Sequence, residues 1–414
     1  MRRLIALLAL ALPATMAAQR PATAGDSLLE RAREIHKRVV TVDTHVDIPY
    51  QYATEFADPG RRDTFRVDYP KMKEGGLDAV FFIVYVAQGA RQGEQAETAR
   101  ELALTKFAAI RRAVATYKDR IALAEKADDV AKIARAGKLV AMIGIENGYV
   151  IGKDLGLVAR YHKLGARYMT LTHNGTNEIG DPAINLPGDT KGEWGGLSPF
   201  GRQVVAEMNR VGIMVDISHN GKATMLQATE LSKAPVIASH SGIKALNDHP
   251  RNVDDEQLDA IKRNGGVVQV VALGGFLKRT PPEREPLIRA LAVKVGLAAA
   301  GDSSKLPAAQ RSAWRAGMSE IDARYGPATV KDLVDHIDYA VKRIGIDHVG
   351  ISSDFDGGGG ILGWQDASET FNVTLELVKR GYSASDIEKI WGGNLIRVWK
   401  QTEAVAKQMS AVKP

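Results

Sequence analysis

The chain of 414 residues contains no cysteine. That excludes disulfides, thiolate-ligated zinc and a lipoprotein-type acyl anchor, so stability must come from an apolar core and from any metal held by nitrogen and oxygen ligands. Charge of one sign is also lacking: 55 Lys and Arg are interspersed with 49 Asp and Glu for a net +6, with no basic stripe suited to a phosphate backbone. Nucleic acid is therefore not an expected partner. Long apolar runs are missing too. The run from Leu4 to Leu12 is too short to span a bilayer, and the tail after Trp399 has no stretch suited to a GPI signal, so no membrane anchor is expected.

What the start does contain is an Arg2-Arg3 pair, that short apolar run and a small-residue exit, Pro13-Ala14-Thr15-Met16-Ala17-Ala18, which together have the form of a secretory leader. We expect residues 1–18 to be removed near Ala18, lowering the net charge to +4, and residues 19–414 to be a free periplasmic or secreted protein. Their composition, 45% hydrophobic and 25% charged over the whole chain, is that of an ordinary globular protein, and the length suits one large α/β barrel with insertions or two medium domains.

Organisation favours the barrel. Short β-rich runs alternate with amphipathic helical stretches, the pattern of βα units. Eight strands are expected: Val39 to Asp47, Leu77 to Val86, Leu139 to Gly148, Arg167 to His173, Ile213 to His219, Val236 to His240, Gly266 to Leu273 and Val349 to Asp356. Helices are expected between them, among others over Glu94 to Thr116, Leu155 to Leu164, Gly201 to Val211, Val253 to Arg263, Val330 to Ile344 and Ala384 to Val398. No linker-like composition interrupts the series. The reading is an α/β fold, a (β/α)8 TIM barrel of the metal-dependent hydrolase type in which 19–414 form one domain. Two insertions, Asn174 to Leu197 and a charged helical segment over 278–325, follow strand ends and belong to the C-terminal face that shapes the pocket.

Histidine placement then points to chemistry. Of nine histidines, His45, His173, His219 and His240 fall at or beside the C-terminal ends of predicted strands, where barrels carry active sites. His36, His162, His336 and His348 read as solvated or structural, and His249, in a loop, stays undecided. His45 and Asp47 are two apart on one strand and share a face, so one cation can be gripped by both. Glu146 ends an apolar strand where an unpaired charge is costly, and its two oxygens suit either a bridge between two metals or a salt bridge to a basic side chain. His219 and His240 end adjacent strands at one level and suit a second zinc site, with Asp216 a candidate to hold a ligand by its other nitrogen. Asp354, before a run of glycines, is the candidate proton shuttle, while Asp356 competes for that role or for ligation.

The segments Asp43-Thr44-His45-Val46-Asp47, Gly144-Ile145-Glu146-Asn147-Gly148, Leu171-Thr172-His173-Asn174, Gly196-Leu197-Ser198-Pro199-Phe200-Gly201, Asp216-Ile217-Ser218-His219, Ser239-His240-Ser241 and Asp354-Phe355-Asp356-Gly357 resemble, in order, the motifs of the membrane (renal) dipeptidase family. The resemblance spans Val39 to Trp399. It implies a zinc-dependent dipeptidase with two Zn2+ per chain, one held by His45 and Asp47, the other by His219 and His240, and both bridged by Glu146. It also implies that His173 contacts the substrate near its scissile carbonyl, that Asp354 handles protons, and that Arg251 binds the substrate carboxylate, a task suited to its planar fork. A small dipeptide, with a D-residue tolerated at its C-terminal position, is the expected substrate, and a homodimer the expected assembly. The chain departs from the animal members in lacking their cysteines and lipid-anchor signal and in a longer Ala- and Arg-rich insertion around Arg289 to Arg324, which leaves the pocket rim open.

Two rivals remain at this point. One is another barrel amidohydrolase acting on N-acyl amino acids, lactones, β-lactams or phosphoesters. Against it, no lysine stands at a predicted C-terminal strand end to serve as a carboxylated bridge. The other is an exported zinc- or solute-binding protein without turnover.

Overall fold

The computed structural model describes residues 24–279, 281–297 and 307–411. The expected leader, and residues 280 and 298–306 of the expected insertion, lie outside the described residues.

All eight expected strands form, and a ninth joins them. They are β1 (Val42–Asp47), β2 (Ala79–Tyr85), β3 (Ile121–Leu123), β4 (Leu139–Glu146), β5 (Ala166–Thr170), β6 (Met214–Asp216), β7 (Ile237–Ser241), β8 (Val267–Val271) and β9 (Val349–Ser352). The order is β1-β2-β4-β5-β6-β7-β8-β9, every pair is parallel, and the ring closes where Val46 bridges Phe355, with Asp47 N donating to Phe355 O at 2.9 Å. β3 pairs with Leu139 to Ala141 at the start of β4, below the point where β5 takes over at Ile143. The fold is thus the (β/α)8 barrel. Its strands are covered on both faces, which is why β4 can be buried along all eight residues and still end in a carboxylate.

The helices start and stop where local chemistry dictates. Ser198 caps Pro199–Val211 by accepting from Gly201 N, with Pro199 in the first turn and Gly212 left-handed at the end. Thr329 and Asp332 form a capping box on Val330–Ile344, as do Asp254 and Gln257 on Asp255–Asn264. The expected helix from Ala384 to Val398 is instead two, Ala384–Glu388 and Asn394–Ala411, joined by a wide turn over Lys389–Gly393. Within the 278–325 insertion, helices Arg284–Val295 and Ala308–Tyr325 pack against each other and are tied by Arg284 Nη2 to Asp322 Oδ1 at 2.8 Å.

Three one-residue irregularities interrupt the strand register. β1 carries an extra residue against β2 between Asp43 and Val46, and β7 one against β8 between Ala238 and Ser241. These two are bulges at the barrel rim, and they contain His45 and His240. A bulge there turns side chains that strict alternation would send elsewhere toward the mouth. The third, in β5 against β4, sets Tyr168 opposite Gly144, where a Cβ would lie 2.3 Å from the tyrosine ring.

Candidate metal centre

The C-terminal ends of β1, β4, β6 and β7 bring five side chains into one cluster around Glu146. Its Oε2 lies 3.5 Å from His45 Nε2, which is also 3.5 Å from Asp47 Oδ2. Its Oε1 faces the other way, 2.9 Å from His219 Nε2 and 3.3 Å from His240 Nε2. Each carboxylate oxygen thus serves a different pair. No basic side chain of Lys or Arg pairs with Glu146 among the described residues, which disposes of the salt-bridge reading. His173 stands one step further out, 3.8 Å from Oε1 and stacked at 4.1 Å on the His219 ring. Asp354 Oδ1 is 3.9 Å from His45 Nε2.

The surroundings fix which nitrogen of two histidines is free. Tyr168 Oη donates its one proton to Thr44 O at 2.9 Å, so it must accept from His45 Nδ1–H, also at 2.9 Å. His45 Nε2 is then the nitrogen left to face the cluster, completely buried and without a hydrogen-bond partner. Ser239 repeats the device on β7. Its Oγ donates to Asp216 Oδ2 at 2.7 Å and accepts from His240 Nδ1 at 2.8 Å, leaving His240 Nε2 free. His240 Nε2 and His219 Nε2 are 2.8 Å apart. A buried orphan nitrogen, and two imidazoles and a carboxylate converging at such distances, require a cation between them. Nitrogen and carboxylate donors without sulfur fit zinc.

Titration behaviour agrees. Burial, reinforced by Arg251, holds His219 well below the ordinary imidazole value, and burial with His45 does the same to His240, so both are neutral donors. Burial alone would lower His45, but Glu146 and Asp47 outweigh it and hold it well above the ordinary value. Glu146 stays charged despite burial because His45, His219 and His240 surround it. The rise at His45 shows that its carboxylate neighbours favour positive charge at this point of the cluster.

The cluster forms the floor of a cavity of about 460 Å³ whose walls include Tyr85, His173, His249, Arg251, Phe276 and Asp354. Arg251 is buried, with Nη2 donating to His240 O at 3.3 Å and its guanidinium 5.3 Å from the Phe276 ring. It has no carboxylate partner among the described residues, and burial brings it down to about 10. Asp354 is pushed up to about 8 by burial, with Asp47 and Glu146 adding to the rise against His45 and Arg251. Gly357 is obligatory beside it: a Cβ there would lie 2.2 Å from Asp47 Oδ2 and 2.6 Å from Asp354 Oδ1.

Several open expectations resolve. Asp356 also lines the cavity, and its carboxylate accepts from Arg66 N at 3.0 Å and Val67 N at 3.3 Å, so it fastens the 66–67 backbone. Asp216 reaches His240 only through Ser239. His249 packs its ring 4.4 Å from Phe276 and accepts from Arg251 N, which orients the arginine. His336 is fully enclosed, bonded to Ile243 N and Leu277 O, and His36 bonds Thr374 and Gly75 O, so both are structural. Tyr168, Ser239 and Tyr85 were not anticipated. Of these only Ser239 carried a signal, as the residue before a histidine at a strand end.

Residues 29–413 match the sequence profile of membrane dipeptidase, peptidase family M19. The chain belongs to that family. Dipeptidase tcpJ of Claviceps purpurea is 33% identical over 353 residues, 84% of this chain and 72% of that protein. Dipeptidase ataJ of Aspergillus terreus is 32% identical over 409 residues, covering 92% and 89%. Among solved structures, the probable dipeptidase PvdM of Pseudomonas aeruginosa superimposes with a TM-score of 0.80 at 31% identity, over 92% of this chain and 99% of that one. With the nitrogen and carboxylate cluster at its barrel mouth, this M19 member is a metal-dependent dipeptidase, and the non-catalytic reading falls away.

Proposed function

We propose that this M19 dipeptidase holds two zinc ions, the first on His45 and Asp47, the second on His219 and His240, with Glu146 shared between them. The observation that carries the reading is the division of Glu146, one oxygen toward His45 and the other toward the His219–His240 pair. When bound, such a pair of ions acidifies a water and polarises the scissile carbonyl.

The chain's own residues do the rest. Arg251 grips the free carboxylate of a dipeptide by a charge-assisted fork, which fixes the register of the amide and limits chain length. His173, held neutral by burial, donates a hydrogen bond to the carbonyl oxygen as negative charge develops there. Asp354 accepts the proton released by the attacking water and delivers it to the departing amine nitrogen, its carboxylate standing beside the cluster with Oδ1 3.9 Å from His45 Nε2. Phe276 and Tyr85 wall the cavity and exclude water around it. The purified protein is expected to contain about two zinc ions per chain by elemental analysis and to cleave free dipeptides. A content of one or none after zinc supplementation overturns the binuclear assignment, and parallel assays on L-L and L-D dipeptides read the configuration accepted at the C-terminal residue.

We further propose that residues 1–18 are removed on export to the periplasm or medium and that 19–414 act as one catalytic unit within a homodimer. Intact mass and light scattering of the exported protein test both parts.

A further inference from the structure

Two lysines of the described chain are buried, Lys71 and Lys106, and they differ in one respect. Lys71 Nζ donates to Asp63 O at 2.8 Å and to Phe65 O, and lies 3.4 Å from Asp68. Lys106, only 4% exposed, makes no hydrogen bond and no ion pair among the described residues. Its ammonium instead rests against two aromatic faces, 4.9 Å from the Tyr50 ring and 5.7 Å from the Tyr85 ring. An ammonium has three donors, and aromatic faces satisfy its charge without accepting those bonds in full. Lys106 therefore sits with donors to spare.

Its position gives those donors an address. Tyr85 ends β2 and lines the cavity, with its ring 4.7 Å from that of His173, and Tyr50 is 39% exposed at the rim just after β1. Lys106 belongs to the helix Glu94–Thr116 that follows β2, whereas Arg251 follows β7. In the ring β1-β2-β4-β5-β6-β7-β8-β9, β2 and β7 are four places apart, which is diametrically opposite. Lys106 thus lies behind the cavity-wall residue Tyr85, on the side of the barrel opposite Arg251. A dipeptide whose C-terminal carboxylate lies on Arg251 extends its N-terminal residue toward the Lys106 side.

We propose that Lys106, framed by Tyr50 and Tyr85, is a specificity determinant that receives the side-chain carboxylate of an acidic N-terminal residue, so that the preferred substrates are dipeptides beginning with Glu or Asp. The inference rests on the dipeptidase reading and on Arg251 as the carboxylate grip. A lysine in this place discriminates against a basic first residue by like-charge repulsion and favours an anionic one by a charge-assisted bond in a partly desolvated setting.

The test compares kcat/KM for Glu-Ala and Gln-Ala, which match in shape and differ in side-chain charge, using the full-length zinc-loaded protein and its Lys106→Met and Lys106→Arg variants. Wild type is expected to prefer Glu-Ala by about tenfold, Lys106→Met to bring the ratio close to one, and Lys106→Arg to retain most of it. Wild type cleaving the two equally, or Lys106→Met keeping the preference, overturns the proposal while leaving the dipeptidase reading intact. Failure to cleave any dipeptide sinks both. Zinc content and melting temperature are recorded for each variant. Should Lys106→Met not fold, the wild-type ratio against ionic strength decides: a preference carried by Lys106 shrinks as salt rises, and one that is salt-independent refutes it.

Discussion

Tyr168 offers the sharpest test of how the metal site is built. Its hydroxyl is the sole partner of His45 Nδ1 and also donates to Thr44 O, both at 2.9 Å, inside a completely buried setting. Tyr168→Phe keeps the ring, which packs 5.0 Å from Phe81 and over Gly144, and removes only the oxygen. Two buried groups then lose a partner, at about 1–3 kcal/mol each by the usual cost of stranding a polar group. The second consequence is specific to the site. With nothing to accept its Nδ1 proton, His45 no longer has a reason to keep Nε2 as the lone pair, and loss of such an orienting contact typically costs about 10–100-fold in metal affinity. The assay is zinc competition against a chromophoric chelator, run beside thermal melts of the metal-free protein. A general packing defect lowers the melting temperature and leaves zinc affinity unmoved once folding is allowed for. If Tyr168→Phe binds both zinc ions within twofold of wild type, the hydroxyl does not set the His45 tautomer and the reasoning fails.

Other substitutions probe the remaining parts. Glu146→Gln should lose about 100-fold or more in activity and release zinc, because a neutral amide bridges cations poorly; tight retention of two ions with full turnover would return Glu146 to a structural role. Arg251→Ala should raise KM for free dipeptides by the equivalent of about 1.5–3 kcal/mol with zinc content intact, and should narrow the discrimination between a dipeptide and its C-terminal amide. An unchanged acid-to-amide ratio would move the clamp to another cation. Burial, aided by Arg167, holds His162 at about 4, below the ordinary value of about 6.5. The unfolded chain therefore takes up the proton first, so this contribution is complete above about pH 6.5 and lost as pH falls toward 4. After discounting for partial exposure it amounts to roughly 1–2 kcal/mol, and His162→Gln should flatten the urea-denaturation stability over that window; an unaltered slope would refute the assignment.

Most of the cluster was legible because a parallel barrel leaves few places for a polar side chain at the end of an apolar strand. Glu146 after Leu139 to Ile145, and His240 after Pro235 to Ala238, stand out against that background. The residues that orient them do not. Tyr168 lies within an ordinary strand, and its partner His45 is 123 residues away in sequence, so nothing local marks it. The bulges at His45 and His240 leave no compositional trace, since no glycine is needed to make them. β3 is three residues long, too short for alternation to register. Lys106 was not singled out, although its helix neighbours at three and four residues, Leu102, Ala103, Ala109 and Ile110, are all apolar. Asp356 was ambiguous for another reason: two aspartates two residues apart near a strand end are expected to share a face, yet both adopt left-handed backbone, with φ of 58° for Asp354 and 62° for Asp356, and alternation no longer applies.

That left-handed backbone recurs with a pattern. Of the five non-glycine residues with positive φ among the described residues, Asn147, His219, Asp354 and Asp356 all stand at the barrel mouth, beside or within the cluster. Each such residue costs on the order of 1–3 kcal/mol, and the mouth also collects three carboxylates, Asp47, Glu146 and Asp354, at 3.5, 3.5 and 3.9 Å from His45 Nε2. A chain selected for stability alone would not concentrate strain and like charge in one place. Here the closed parallel sheet and its helices over-determine the rim, so the mouth can be held in a conformation that is unfavourable until positive charge arrives. In the free protein this shows as His45 held above its ordinary value, Asp354 pushed up to about 8, and a buried Arg251 guanidinium without a carboxylate partner among the described residues. On the proposed function, a metal ion answers the first of these and the carboxylate of a substrate the last. The same unfavourable arrangement that weakens the empty mouth therefore makes it selective for metal and dipeptide together.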